Sequence, residues 1–265
     1  MEVIQRTITS KSKADVYRLY PLGDVHAGSK GCAESHIRAR VAQIKADPLA
    51  LWVGMGDMAD AIIVPDKRYE PTMYAPWVVP DNVASSQRKW LVDLLRPITS
   101  KCVCYLTGNH EQTIHKRYQQ DITRDICDEL AIPYGGYSSF INLSFDHHRH
   151  RVAWLIHAWH GAGAAQSEGA RILRLMRLVN DIQADVYLMG HLHAVASYTP
   201  SRLWLSPQRK IKSTKLIALM TGSWLRTYGQ GEGISYGEEK GYRPSSIGCP
   251  CICFKPSNNT AWLEG

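Results

Sequence analysis

The sequence predicts an α/β protein, and three observations predict it. Apolar runs of strand length alternate with segments whose apolar residues recur at helical spacing. Five of these runs end at an Asp, Asn or His, with a glycine beside nearly all of them. The run Leu49-Ala50-Leu51-Trp52-Val53 is hydrophobic throughout, as a parallel strand buried on both faces requires. Gly54 and Gly56 then let the backbone leave that strand and bring Asp57 to its carboxyl end, the edge where ligands gather in open α/β sheets.

In chain order, residues 15–22 alternate like a strand and run into Gly23-Asp24-Val25-His26. Residues 35–45 carry Ile37, Val41 and Ile44 at helical spacing, with Glu34 near the positive end of the helix. Residues 62–82 hold prolines and aromatics without a period and read as a long loop or cap. Helical spacing returns over 84–95, and 101–106 is a strand ending at Thr107-Gly108-Asn109-His110-Glu111. Residues 113–130 read as one amphipathic helix, with Ile114, Tyr118, Ile122, Ile126 and Leu130 on one side. Residues 137–145 and 151–156 read as a hairpin whose second strand ends at His157-Ala158-Trp159-His160-Gly161. A basic amphipathic helix (170–182) and a strand (185–189) lead to Gly190-His191-Leu192-His193. Further strands follow near 194–204, 215–220 and 247–255. No repeat, low-complexity tract or linker divides the chain, so 1–265 reads as one domain with a cap or insertion at 62–82.

Composition narrows the classes. With 45% hydrophobic and 21% charged residues, the chain is of ordinary globular type. Residues 1–13 are polar and lack the apolar core of a signal peptide. No uncharged apolar stretch approaches the roughly 18 residues of a membrane span, so no membrane partner is expected. Seven cysteines, an odd number, suit reduced thiols in the cytoplasm better than a disulfide framework. A net charge of +7 favours polyanionic partners.

The strand ends, set side by side, are Asp24-Val25-His26, Asp57 with Asp60, Asn109-His110, His157 or His160, and His191-Leu192-His193. Carboxylate, amide oxygen and imidazole together suit manganese, iron, zinc or nickel. Alternating spacing sends both members of Asp24-x-His26 and His191-x-His193 to one side of an extended segment. Each pair alone is an ordinary polar loop; five at strand exits point to metal.

The series Asp24-Val25-His26, Gly56-Asp57-x-x-Asp60, Gly108-Asn109-His110-Glu111, His157 and Gly190-His191-x-His193 resembles the calcineurin-like metallophosphoesterases, in the family's order and over about two-thirds of the chain. The resemblance implies a two-layer β-sandwich flanked by helices, with a dinuclear metal centre at one edge. It implies that Asp24, His26 and His193 hold one divalent ion, that Asn109, His157 and His191 hold the other, and that Asp57 bridges them, with manganese foremost and iron, zinc or nickel as alternatives. The family's fourth motif has a histidine directly before a glycine. Here His157 abuts the strand but precedes Ala158, while His160 precedes Gly161. The strand favours His157 as the ligand and leaves His160 to support a ligand or touch substrate. By the same resemblance His110 protonates or stabilises the leaving oxygen, Asn109 also contacts substrate, and Asp60 orients a ligand histidine or water.

Other features carry less. Cys102, Cys104, Cys249, Cys251 and Cys253 alternate in two strand-like runs, where free cysteine packs as a small apolar residue rather than as a soft-metal site. His147, His148, Arg149, His150 and Arg151 read as a solvated hairpin tip, and glycines 229, 231, 233 and 237 as a flexible loop without a nucleotide-binding fingerprint. Arg171, Arg174 and Arg177 form a basic helix face that contacts phosphates or faces solvent. The leading function is a metal-dependent phosphohydrolase, a phosphodiesterase before a monoesterase, acting on a phosphate ester. The alternatives are a DNA or RNA nuclease, favoured by net charge and by Trp77, Trp159 and Trp224, and a non-catalytic scaffold of the same fold.

Overall fold

A computed structural model of the chain describes residues 1–64, 66–147, 150–229 and 235–264. Its elements are β1 (Glu2–Thr9), β2 (Tyr17–Leu22), α1 (Glu34–Ala46), β3 (Ala50–Met55), α2 (Val83–Leu95), β4 (Cys102–Leu106), α3 (Asn109–Tyr118), α4 (Ile122–Leu130), β5 (Ser138–His147) and β6 (His150–Trp159). There follow α5 (Glu168–Asp181), β7 (Val186–Met189), β8 (Val195–Tyr198), β9 (Ser201–Leu205), β10 (Ile211–Lys215), β11 (Ile217–Thr221), α6 (Tyr236–Glu239), β12 (Cys251–Lys255) and β13 (Thr260–Glu264).

Two mixed sheets face one another. The five-stranded sheet has the order β13-β12-β2-β3-β4, with β2, β3 and β4 parallel; the six-stranded sheet has the order β1-β5-β6-β7-β11-β8. Between them lies a core that includes Leu19, Val53, Met55, Leu106, Ile141, Phe145, Ile156, Leu188 and Phe254. The outer face of the five-stranded sheet packs on α1, α2 and α4 through Ile37, Val41, Leu91, Leu95 and Ile126. The outer face of the other packs on α5 through Leu175 and Val179. The architecture is therefore α/β with two sheet layers between helices, and β3, buried at all six positions, is apolar throughout for that reason. Buried Trp52 satisfies its indole N–H on the Ile98 carbonyl at 2.8 Å.

The structure corrects several expectations. Residues 1–13, read as merely polar, include β1, which pairs in parallel with β5 at the sheet edge and turns only alternate residues such as Ile4 and Ile8 inward. A further edge strand, β13, follows the last strand that was expected. The single helix expected over 113–130 is two. Gln119 adopts a left-handed φ of 58°, and Asp121 caps α4 by accepting the Arg124 N–H at 2.9 Å. The hairpin's second strand runs on to Trp159, because Ser138 pairs with Trp159 across β5 and Trp159 with Met189 on β7. The proposed hairpin tip includes His148 and Arg149, and the glycine loop Gly231 and Gly233, which lie outside the described residues. Trp77 stacks on Trp90 at 5.4 Å, Trp159 packs against the α5 core and Trp224 is buried, so these indoles are committed to packing rather than to stacking bases. Among the described residues no helix is long and apolar enough to cross a membrane.

Candidate metal centre

The carboxyl ends of β2, β3, β4, β6 and β7 meet at one edge of the two sheets, and each delivers a polar side chain. The backbone there is unusual. Asp24, Asp57, His26, His191 and His193 all have left-handed φ values, between 47° and 72°. Each such conformation costs a non-glycine residue about 1–3 kcal/mol, so the surrounding bonds must hold it, and such residues cluster where function requires them. Gly56 and Gly108 allow the approach. A Cβ on Gly108 would sit 2.0 Å from Asp57 Oδ1, and one on Gly56, whose φ is 85°, 2.7 Å from a ring nitrogen of His160.

Two groups of donors result beside a third, His26, Asp60 and His110, whose ligand atoms also lie within 4.8 Å of one another. Asp24, His26 and His193 bring one ligand atom each within 4.8 Å of one another, and so do Asp57, His160 and His191. In the first, His26 Nε2 faces His193 Nε2 at 3.1 Å and Asp24 Oδ1 lies 3.3 Å from His193 Nε2. In the second, Asn109 Oδ1 stands 3.1 Å from His160 Nε2 and 2.8 Å from His191 Nδ1, while Asp57 Oδ2 is 3.4 Å from His160 Nε2. Asp57 lies where the N-terminus of α3 points, and its Oδ1 accepts the His110 N–H at 2.9 Å. Asp60 Oδ1 stands 3.2 Å from His26 Nδ1, and Asp24 accepts the His191 N–H at 2.9 Å.

His157 is not brought to this cluster. It is still within the β6 ladder, where its neighbours Ile156 and Ala158 face the inter-sheet core, so its own ring turns to the opposite face. There it lies 5.2 Å from the Phe140 ring, and neither ring nitrogen has a hydrogen-bond partner. His160, three residues on, clears the ladder; it is fully buried and bonds the Met55 carbonyl through Nδ1 at 2.7 Å, which aims Nε2 at Asp57 and Asn109. His160, expected only to support a ligand or touch substrate, therefore stands among the donors, and His157, expected as a ligand, stands away from them.

Two residues that sequence reasoning left without a role stand here. Glu111 is buried and accepts the N–H groups of Asp57 (3.1 Å), Ala59 (2.9 Å) and Gly108 (3.0 Å), clamping the exits of β3 and β4 together. Its place at the end of Gly108-Asn109-His110-Glu111 was the available signal. Arg68, from the 62–82 segment, puts Nη1 2.6 Å from His110 Nε2 and is held by Asp66 through Nε (2.9 Å) and Nη2 (2.8 Å). No local pattern announces it. Ile62, Tyr69, Glu70, Met73 and Tyr74 help wall a cavity of about 550 Å³ over the cluster, which Lys67, Arg68, Arg171, Arg226 and Arg243 also line. Of the basic face on α5, Arg171 reaches that cavity.

The electrostatics follow from burial and close opposite charges. Burial opposes charge on Asp57, but His160 and His110 outweigh it and hold the carboxyl well below its usual range. Burial would lower His160, yet Asp57 and Asp24 push it up to about 10. His26 is likewise raised against its burial by Asp60 and Asp57. Burial takes His110 down to about 4, with His26 and Arg68 adding to the effect. These donors fit divalent cations. Carboxylate, amide oxygen and imidazole form a borderline-hard set, and two imidazole nitrogens facing each other at 3.1 Å beside a carboxylate need a shared proton or a cation between them.

No protein-family model matches the sequence, and neither does any curated protein. Among solved structures, the chain is similar to a conserved uncharacterized protein of Streptococcus pneumoniae described as a predicted phosphoesterase, at 11% identity and a TM-score of 0.34, over 94% of this chain and 99% of that one.

Proposed function

We propose that the chain is a calcineurin-like, metal-dependent phosphohydrolase that cleaves phosphodiesters. The observation that carries this reading is the convergence of Asp24, His26 and His193 beside Asp57, His160, His191 and Asn109 at one sheet edge. In this reading Asp24, His26 and His193 hold one divalent cation, Asn109, His160 and His191 a second, and Asp57 serves both. Bound there, such a pair supplies Lewis acidity toward phosphoryl oxygens and lowers the pKa of a water.

The chain's own residues do the rest. Asp60 accepts from His26 Nδ1, which keeps Nε2 directed into the site. Arg68 brings a permanent positive charge to the side of His110 that faces the cavity, where it neutralises charge on a phosphoryl group. The cavity of about 550 Å³ is of small-ligand size and is walled in part by Ile62, Tyr69, Met73 and Tyr74, which supports a small diester over a duplex. The five cationic side chains that line the same cavity support the second reading, a nuclease for single strands.

Hydrolysis of a small chromogenic diester, a monoester, and single-stranded and duplex DNA, with manganese, nickel, zinc or magnesium at low and high salt, tests both. The expected result is metal-dependent diester turnover with weak salt dependence. Steeply salt-sensitive DNA cleavage with little diester turnover establishes the nuclease, because neutralising several phosphates releases counterions. No turnover with any metal leaves a binding scaffold.

A further inference from the structure

Far from the metal centre, the outer face of the five-stranded sheet carries a second cluster. Cys251 and Cys253 alternate on β12, so their side chains share one face, opposite to Ile252 and Phe254 in the inter-sheet core. In the ladder Cys251 pairs with Glu264 on β13, and Cys253 pairs with Arg18 on β2. Cys253 Sγ lies 2.7 Å and Cys251 Sγ 4.0 Å from Glu264 Oε2, and the three ligand atoms all lie within 4.8 Å of one another. Tetrahedral thiolates bound at 2.3 Å stand about 3.8 Å apart, so the three donors need move little to share one ion.

We propose that Cys251, Cys253 and Glu264 form a site for one thiophilic divalent cation such as zinc, separate from the phosphoesterase centre, with its fourth position open to solvent. The charges close. Two thiolates and one carboxylate are balanced by a divalent ion and the Arg18 guanidinium, whose Nε is 3.5 Å from Glu264 Oε2. Access is from the Glu264 side, where the side chain is 53% exposed while both thiols are buried. Binding exchanges the two thiol protons for the cation and so tightens as pH rises. The other cysteines fit apolar packing: Cys32, Cys102, Cys127 and Cys249 lie in the helix-side core and Cys104 in the inter-sheet core. Arg18 sits near the start of β2, about 13 Å of extended chain before Leu22, so the site lies toward the opposite end of that strand from Asp24.

Titration of the reduced full-length chain with cobalt(II), read as the thiolate-to-cobalt charge-transfer band in the near ultraviolet, tests this. The metal centre has only oxygen and nitrogen donors and cannot produce that band. Because the oxygen- and nitrogen-donor centre also takes up cobalt, the band is expected to saturate at the amplitude of one two-thiolate site per chain, whatever the total number of equivalents added. Cys253→Ser is expected to abolish it, and Glu264→Gln, a surface change that leaves the thiols in place, to weaken cobalt binding at least about tenfold. Asp57→Asn should leave the band intact, so the result stands whatever happens to phosphodiester hydrolysis. Absence of a thiolate band in the folded reduced chain, or a band indifferent to Cys253→Ser and Glu264→Gln, overturns the proposal.

Discussion

Arg68 and His110 fix each other's hydrogen-bond order. The Asp60 carbonyl can only accept, so His110 Nδ1 carries the proton it gives to that oxygen; a guanidinium can only donate, so His110 Nε2 accepts from Arg68 at 2.6 Å. His110 is therefore neutral, with its lone pair turned to Arg68. The family resemblance assigns it the leaving-group proton, and in this arrangement the protonated group beside it is Arg68.

Arg68→Ala is accordingly expected to lower kcat/KM by about 10²–10³, the loss typical of one charge-stabilising donor. Burial is the main cause that takes His110 down to about 4, and Arg68 adds to it; the same change removes that added like charge, so the acid limb of the pH–rate profile should move toward neutrality. Unchanged kcat/KM would remove Arg68 from the chemistry.

Asp57 and Asp60 should separate cleanly. Asp57 meets His160 of the second donor group and the N-terminus of α3, whereas Asp60 reaches the site through His26 Nδ1. Asp57→Asn should lose bound metal and activity together, while Asp60→Asn keeps most of the metal and loses turnover. Elemental analysis of the purified variants decides; full occupancy and turnover in Asp57→Asn would sink the shared-ligand assignment.

The metal-free chain holds a proton on His160 at neutral pH, since Asp57 and Asp24 raise that ring to about 10 despite its burial. A cation must displace it. Metal affinity is expected to rise with pH from neutrality toward about 10, with protons released on binding. Calorimetry in buffers of different ionisation enthalpy measures the count, and zero release contradicts His160 as a ligand.

The two histidines of β6 and its exit give opposite expectations. His160→Ala should empty part of the centre. His157→Leu should leave metal content alone and raise stability, because it removes a buried ring with no partner for either nitrogen. A gain of about 1 kcal/mol corresponds to roughly 2–4 °C in Tm for a chain of this size. Burial depresses His157 from 6.5 to about 4, so in the wild type stability falls as pH drops through that window, where the unfolded state takes up a proton the native ring refuses. The advantage of His157→Leu should therefore widen below pH 6.5. Loss of metal in His157→Leu would restore the assignment read from the sequence.

How far the sequence reaches is visible in these same residues. Asp57 was legible because β3 is buried on both faces, so its apolar run and its glycines are unbroken in the text of the chain. The edge strands β1 and β13 were not, since only alternate residues such as Ile4, Ile8, Ala261 and Leu263 turn inward. His157 was misplaced because the length of β6 is set by its partners: Ser138 and Met189 extend the ladder to Trp159, and nothing local marks that end. Arg68 was invisible for a similar reason, as its position depends on Asp66 and on how the 62–82 segment folds over the strand exits. Glu264 had no reading without β13, and with it two cysteines that looked like packing acquired a carboxylate.

Glu111 carries the last prediction. Its Oε2 accepts from Asp57 and Gly108 and its Oε1 from Ala59, so one carboxylate satisfies three buried amides at two strand exits. Asp57 and Gly108 also stand so close that no side chain fits between them, so the clamp sets where the Asp57 carboxylate points. Glu111→Ala strands all three donors, and at about 1–3 kcal/mol for each unsatisfied buried group the cost is several kcal/mol, large against a typical margin of 5–15. Glu111→Gln keeps one accepting oxygen and turns an amide N–H toward at least one of the donors, so it should cost less but still loosen the exits. The expected order in urea midpoint is wild type, then Glu111→Gln, then Glu111→Ala, and metal content should fall in the same order, because Asp57 and Asn109 are set by the two exits that Glu111 joins. A Glu111→Gln protein with wild-type metal affinity and a lowered urea midpoint would show that the clamp serves the fold and not the site.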